Sequence, residues 1–193
     1  MNKYLVISAL ILLFVGCTSK NSENPNSITE ESIFNLQSEW QNQNGETVKL
    51  TNYKGEVLVV VMIYTSCQSA CPRLVADMRD IESKIPEKYL DGVKLILVSI
   101  DPETDTPERL KEFASTNQMS DPHWVFLRSN IVSTQEFANV LAVKYKQISP
   151  KDFSHSNIIS VFDRGGNLVH QQEGLGVNNE NTVNTIINTL KTK

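Results

Sequence analysis

The chain has 193 residues, a formal net charge of −4, 21% charged and 40% hydrophobic residues, and three cysteines. That acidic balance, with no basic cluster to track phosphates, excludes nucleic-acid binding. The length suffices for one domain with a substantial core.

The N-terminus reads as an export signal. Asn2 and Lys3 give a short polar, positive start, and Tyr4 to Val15 form an almost unbroken apolar stretch ending at Gly16-Cys17. The stretch is shorter than the roughly 20 residues that a spanning helix needs, and it suits a signal h-region. Phe14-Val15-Gly16-Cys17 resembles a lipobox, with Phe14 replacing the usual Leu. Residues 1–16 are therefore read as a lipoprotein signal peptide, with Cys17 as the lipidation site. Residues 17–34 form a polar, flexible tether, and 35–193 the domain. The expected product is an exported bacterial lipoprotein, held to a membrane with its domain facing the periplasm or the cell exterior.

Within the domain, Asn44-Gly45 between two short segments around Trp40 to Leu50 signals a hairpin. Leu58 to Tyr64 is an apolar run, read as a buried strand over 57–64. Leu74, Met78, Ile81 and Ile85 recur at helical spacing, predicting an amphipathic helix over 71–85. Val93 to Ile100 is a second buried strand. Thr106-Pro107-Glu108 opens a helix with a capping hydroxyl, a proline at its first position and an early acid. Trp124 to Leu127 is a third strand. Ser133-Thr134-Gln135-Glu136 reads as a capping box, with Phe137, Val140 and Leu141 as the apolar face behind it. Ile158 to Phe162 and Leu168 to Gln171 pair across the turn at Arg164–Asn167. The final helix buries Val183, Ile186, Ile187 and Leu190. Alternation of strands and helices, closed by a hairpin and a helix, predicts an α/β domain. The best match is a thioredoxin-like fold: a central mixed sheet flanked by helices, preceded by an N-terminal β-hairpin.

Cys67 and Cys71, in Thr65-Ser66-Cys67-Gln68-Ser69-Ala70-Cys71-Pro72, fall at the first long strand-to-helix turn. On one helical turn, two such residues share a face with α-carbons about 6 Å apart. That spacing permits a reversible disulfide, and it permits two thiolates on one soft metal ion. A helix N-terminus favours negative charge, so both thiols are expected to be more acidic than free cysteine. A purely structural staple closing so short a loop would stabilise little. Of the three histidines, His123 reads as a surface residue and His170 as an exposed strand position. His155, in a loop just before the strand at 158, lies where thioredoxin-like folds face their active cysteines. Two thiolates and one imidazole suit Cu(I) and also admit Cu(II).

Three ordered motifs make the chain resemble the SCO/SenC family of copper-binding, oxidase-assembly proteins. They are Cys67-x-x-x-Cys71-Pro72, the segment Asp101-Pro102-Glu103-Thr104-Asp105-Thr106-Pro107, and His155-Ser156 before a strand. Gln68 departs from relatives that carry proline after the first cysteine. The resemblance covers roughly 35–190 and implies Cys67, Cys71 and His155 as copper ligands. It places Asp101 and Asp105 on a nearby loop, either shaping the site or its docking surface, or simply making and capping a turn. The implied function is a metallochaperone that helps build the dinuclear copper site of a terminal oxidase. Its partners would be that subunit or another copper enzyme, and a copper donor or thiol reductant. The rival is a thiol–disulfide oxidoreductase in which Cys67 and Cys71 are the catalytic pair. A peroxidase fits poorly, because peroxiredoxins place a threonine three residues before the reactive cysteine, where this chain has Tyr64.

Overall fold

The computed structural model describes residues 28–150 and 152–192; the expected signal segment and Cys17 lie outside them. The strands are β1 (Glu39–Asn42), β2 (Thr47–Lys49), β3 (Val57–Ile63), β4 (Val93–Ser99), β5 (Trp124–Arg128), β6 (Tyr145–Ser149), β7 (Asp152–His155), β8 (Ile158–Phe162) and β9 (Leu168–Glu173). The helices are α1 (Cys71–Lys84), α2 (Pro107–Thr116), α3 (Ile131–Val140) and α4 (Glu180–Lys191). Seven strands form one sheet in the order β2-β1-β5-β4-β3-β8-β9. Strands β3, β4 and β5 run parallel, while β1 and β8 are antiparallel to their neighbours. This is the expected α/β domain with a mixed central sheet and an N-terminal hairpin.

Burial explains the frame. All seven residues of β3 are buried, as are six of the seven in β4, which is why both read as continuous apolar runs. Each buried aliphatic side chain contributes about 1.5–3 kcal/mol relative to exposure, so these two strands dominate the core. Whatever hangs from their C-terminal ends inherits a fixed position. Helix α1 buries Leu74, Val75, Met78 and Ile81, and it packs on α4. Helix α2 starts as its sequence predicts, with the Thr106 hydroxyl accepting a hydrogen bond from the Arg109 N–H.

Three expectations need correction. Helix α3 begins at Ile131, capped by the Asn130 side chain, which accepts from the Ser133 N–H; Ser133 does not form the predicted box. Val140 is exposed, and Phe137 and Ala138 face inward with Leu141. The packed region also starts before residue 35. Ser32, Ile33 and Phe34 are buried, with the Ser32 hydroxyl donating to the Gly165 carbonyl and the Ile33 N–H to that of Gly166. Gly166 has φ +80°, and a Cβ there would lie 2.6 Å from the Ser32 hydroxyl, so this turn needs glycine. Finally, β6 and β7 form a separate two-stranded sheet that the sequence reading did not contain. His155 ends β7; it does not sit in a loop.

Candidate metal centre

The C-terminal ends of β3 and β4 and the start of β8 share one edge of the sheet, where Ile63 pairs with Ser99 and Val61 with Ile159. The chain leaves β3 at Tyr64, turns, and enters α1 at Cys71. Cys67 lies in that turn, before the helix, and Cys71 is the first helical residue. The two thiols therefore do not share one helical turn. Instead the Cys71 N–H, one of the donors a helix N-terminus leaves without an internal partner, points at the Cys67 sulfur 3.3 Å away.

The thiols differ in acidity. Burial alone would raise Cys67. Hydrogen bonds from the Cys71 N–H, the Tyr64 hydroxyl and the Ser69 N–H outweigh it and bring the thiol down to about 7. Burial pushes Cys71 well above the ordinary thiol range, and the negative charge on Cys67 adds to that shift. The expectation that both would be acidic fails for Cys71, whose side chain is fully enclosed.

His155 approaches from the other side. Its Nδ1 lies 3.1 Å from the Ser156 carbonyl oxygen, which can only accept, so Nδ1 carries the proton and Nε2 keeps its lone pair. That Nε2 is buried and has no hydrogen-bond partner. Burial also lowers the imidazole pKa, which keeps the ring neutral. The Cys67, Cys71 and His155 donor atoms all lie within 4.8 Å of one another. A buried nitrogen without a partner, facing two sulfurs, is costly unless something binds it, and a soft metal ion suits this set. The residues fit copper.

Asp105 braces the thiol turn from below. It is fully buried and accepts hydrogen bonds from the Thr65 N–H and hydroxyl and from the Ser99 hydroxyl. Burial raises its pKa even against these bonds. Asp105 therefore ties β4 to the start of the cysteine turn. Asp101 does a different job. Its backbone carbonyl accepts from the Thr104 and Asp105 N–H groups to shape the loop, and its side chain lines a groove of about 280 Å³ beside Phe153 and Ile131.

The other histidines are half-buried. His123 Nε2 lies 2.5 Å from Glu82 Oε1, which also accepts from the Trp124 indole N–H, and His170 bonds the Thr182 hydroxyl. The readings as surface and exposed positions are thus corrected. With Asp121, the Glu82–His123 pair forms a second cluster of metal-capable groups, but its nitrogen is already paired. Sequence reasoning missed Tyr64 and Thr65. Two successive hydroxyl-bearing residues just before the cysteine turn were the available signal.

Comparison with known proteins places the chain in a family. A family model described as SCO1/SenC matches residues 27–191. The chain belongs to the SCO1/SenC family. It is 31% identical over 157 residues to the SCO1 protein homolog of Bacillus subtilis, covering 81% of this chain and 77% of that one. The structure of BsSco, described as a member of the Sco family of cytochrome c oxidase assembly proteins with a disulfide switch, superposes with a TM-score of 0.71 at 27% identity. It covers 80% of this chain and 92% of BsSco. Bradyrhizobium japonicum ScoI with copper bound gives a TM-score of 0.66 at 24% identity, covering 81% and 97%. The fold is the thioredoxin-like fold of this family. Among the described residues no helix is long and apolar enough to cross a membrane.

Proposed function

We propose that this chain is an exported copper-binding assembly protein that holds the ion with Cys67 Sγ, Cys71 Sγ and His155 Nε2 and passes it to the dinuclear copper site of a terminal oxidase. The observation that carries this reading is a buried, unpartnered His155 Nε2 on a ring whose donor lies within 4.8 Å of both cysteine sulfurs. A thiol reductase needs no such nitrogen. Anchoring through a lipid on Cys17 would keep the domain at the membrane surface where the oxidase lies. In this reading Asp105 holds the thiol turn in place, and the Ser156 carbonyl fixes the tautomer that leaves Nε2 ready to bind.

One observation favours a second activity of the same pair. An acidic Cys67 beside an enclosed, weakly acidic Cys71 is the asymmetry of an attacking and a resolving thiol. The Cys67 thiolate would attack a client disulfide to give a mixed disulfide. Cys71, on losing its proton, would then release the client dithiol and close the Cys67–Cys71 disulfide, so two electrons pass to the client. The two readings separate in cells. After deletion under copper limitation, oxidase copper content should fall, and the wild-type gene should restore it. A His155→Ala gene should fail to restore it if copper delivery is the task, and should succeed if thiol reduction is.

A further inference from the structure

We propose that Tyr64 is the positioning residue of this centre: through its ring and its hydroxyl it holds the hairpin that carries His155 against the thiol turn. The proposal rests on the reading of Cys67, Cys71 and His155 as copper ligands.

The need for such a residue follows from the topology. The two thiols hang from β3, the most deeply buried strand, whereas His155 ends β7 in a hairpin outside the main sheet. Strands β6 and β7 pair with each other and carry mostly exposed or half-buried residues. The strand hydrogen bonds of β7 itself therefore run to β6 and not to the thiol-bearing end of β3, and a side-chain bridge is what ties the two directly.

Tyr64 is placed to make it. It is the first residue after β3 and is 2% exposed. Phe153 and His155 are two apart on β7, so their side chains share one face. The Tyr64 ring meets both: its centroid is 5.2 Å from that of Phe153 and 5.9 Å from that of His155, edge-on to the imidazole at 80°. Such aromatic contacts contribute about 0.5–1.5 kcal/mol each beyond area burial.

The hydroxyl adds direction. Its oxygen lies 3.4 Å from both the N–H and the carbonyl oxygen of Phe153. It accepts from the Phe153 N–H and donates its single proton to the Phe153 carbonyl. Both contacts are long and individually modest, and they act together with the two ring contacts. The end of β3 is thereby fixed to the β7 backbone two residues before the His155 imidazole.

Tyr64→Phe removes the hydroxyl and keeps the ring, and it is tested in the full chain carrying Cys17→Ser. The variant should still bind one equivalent of copper, with Cu(I) affinity about tenfold lower in competition with a chelator. In the metal-free reduced protein its Phe153 amide should exchange with deuterium about tenfold faster than in the parent. Exchange at Phe153 that is unchanged by the substitution overturns the proposal. If the parent binds no copper, the ligand assignment fails, and the exchange measurement still decides the role of Tyr64. Should the variant not fold, the parent protein decides. Nuclear Overhauser contacts should join the Tyr64 ring to the Phe153 and His155 rings, and their absence overturns the proposal.

Discussion

His155 and His123 each have two other metal-capable side chains with donor atoms within 4.8 Å, His155 beside the C-terminal edge of the parallel strands and His123 at their N-terminal edge, just before β5. At the His123 edge the imidazole nitrogen is paired with Glu82, and the same carboxylate oxygen takes the Trp124 indole proton. Helix α1 is thereby tied to the start of β5, and the ring nitrogen that faces the carboxylate is spent. At the His155 edge, Nδ1 is committed to the Ser156 carbonyl and the buried Nε2 is left without a partner, facing sulfur. Proximity of ligand-type residues is common to both. What separates a binding site from a structural pin is whether the donors remain unspent.

That contrast can be broken at several points. The largest effect belongs to the thiolates: Cys67→Ser or Cys71→Ser should lower Cu(I) affinity by more than about a thousandfold in competition with a chelator, because a hydroxyl is a poor ligand for a soft ion. Next comes the asymmetry of the thiols in the metal-free protein. At pH 7 an alkylating reagent should modify Cys67 at least about a hundredfold faster than the enclosed Cys71, with half-maximal rate near pH 7, as read by mass spectrometry. The folded protein holds Cys67 below the ordinary value of 9.0. Stability from this group is therefore full above about pH 9 and lost as pH falls through about 7. His155→Ala should weaken Cu(I) binding by about a hundredfold and leave the thermal midpoint within a few degrees.

The smaller effects test the supports. Asp105→Ala leaves the Thr65 N–H and two hydroxyls without their acceptor and should cost about 2 kcal/mol in chemical denaturation, whereas Asp105→Asn should recover most of it. His123→Ala should cost about 1 kcal/mol and leave copper affinity unchanged. Copper binding that depends on His123 as it does on His155 would erase the distinction between the two edges.

Much of this was legible in the sequence for physical reasons. Strands β3 and β4 are buried on both faces and announce themselves as apolar runs, and the caps at Thr106 and Pro107 mark α2 directly. The spacing of the cysteines and the position of His155 carried the candidate centre. The hairpin β6–β7 did not show, because a two-stranded sheet outside the core buries no regular face and its residues are mostly polar. The start of α3 was misplaced because Ile131 and Val132 are exposed, which inverts the usual pattern at a helix N-terminus. The low acidity of Cys71 is a tertiary effect: the helix-end rule was overridden by complete burial. Tyr64 looked like one more apolar residue of a strand, since its partners on β7 are 89 residues away.

The most direct measurement is X-ray absorption at the copper edge of the reduced, Cu(I)-loaded chain carrying Cys17→Ser. The account predicts a first shell of two sulfurs and one imidazole nitrogen, with the nitrogen component gone in His155→Ala and retained in His123→Ala. A shell of sulfur alone, or an imidazole that survives loss of His155, would contradict it.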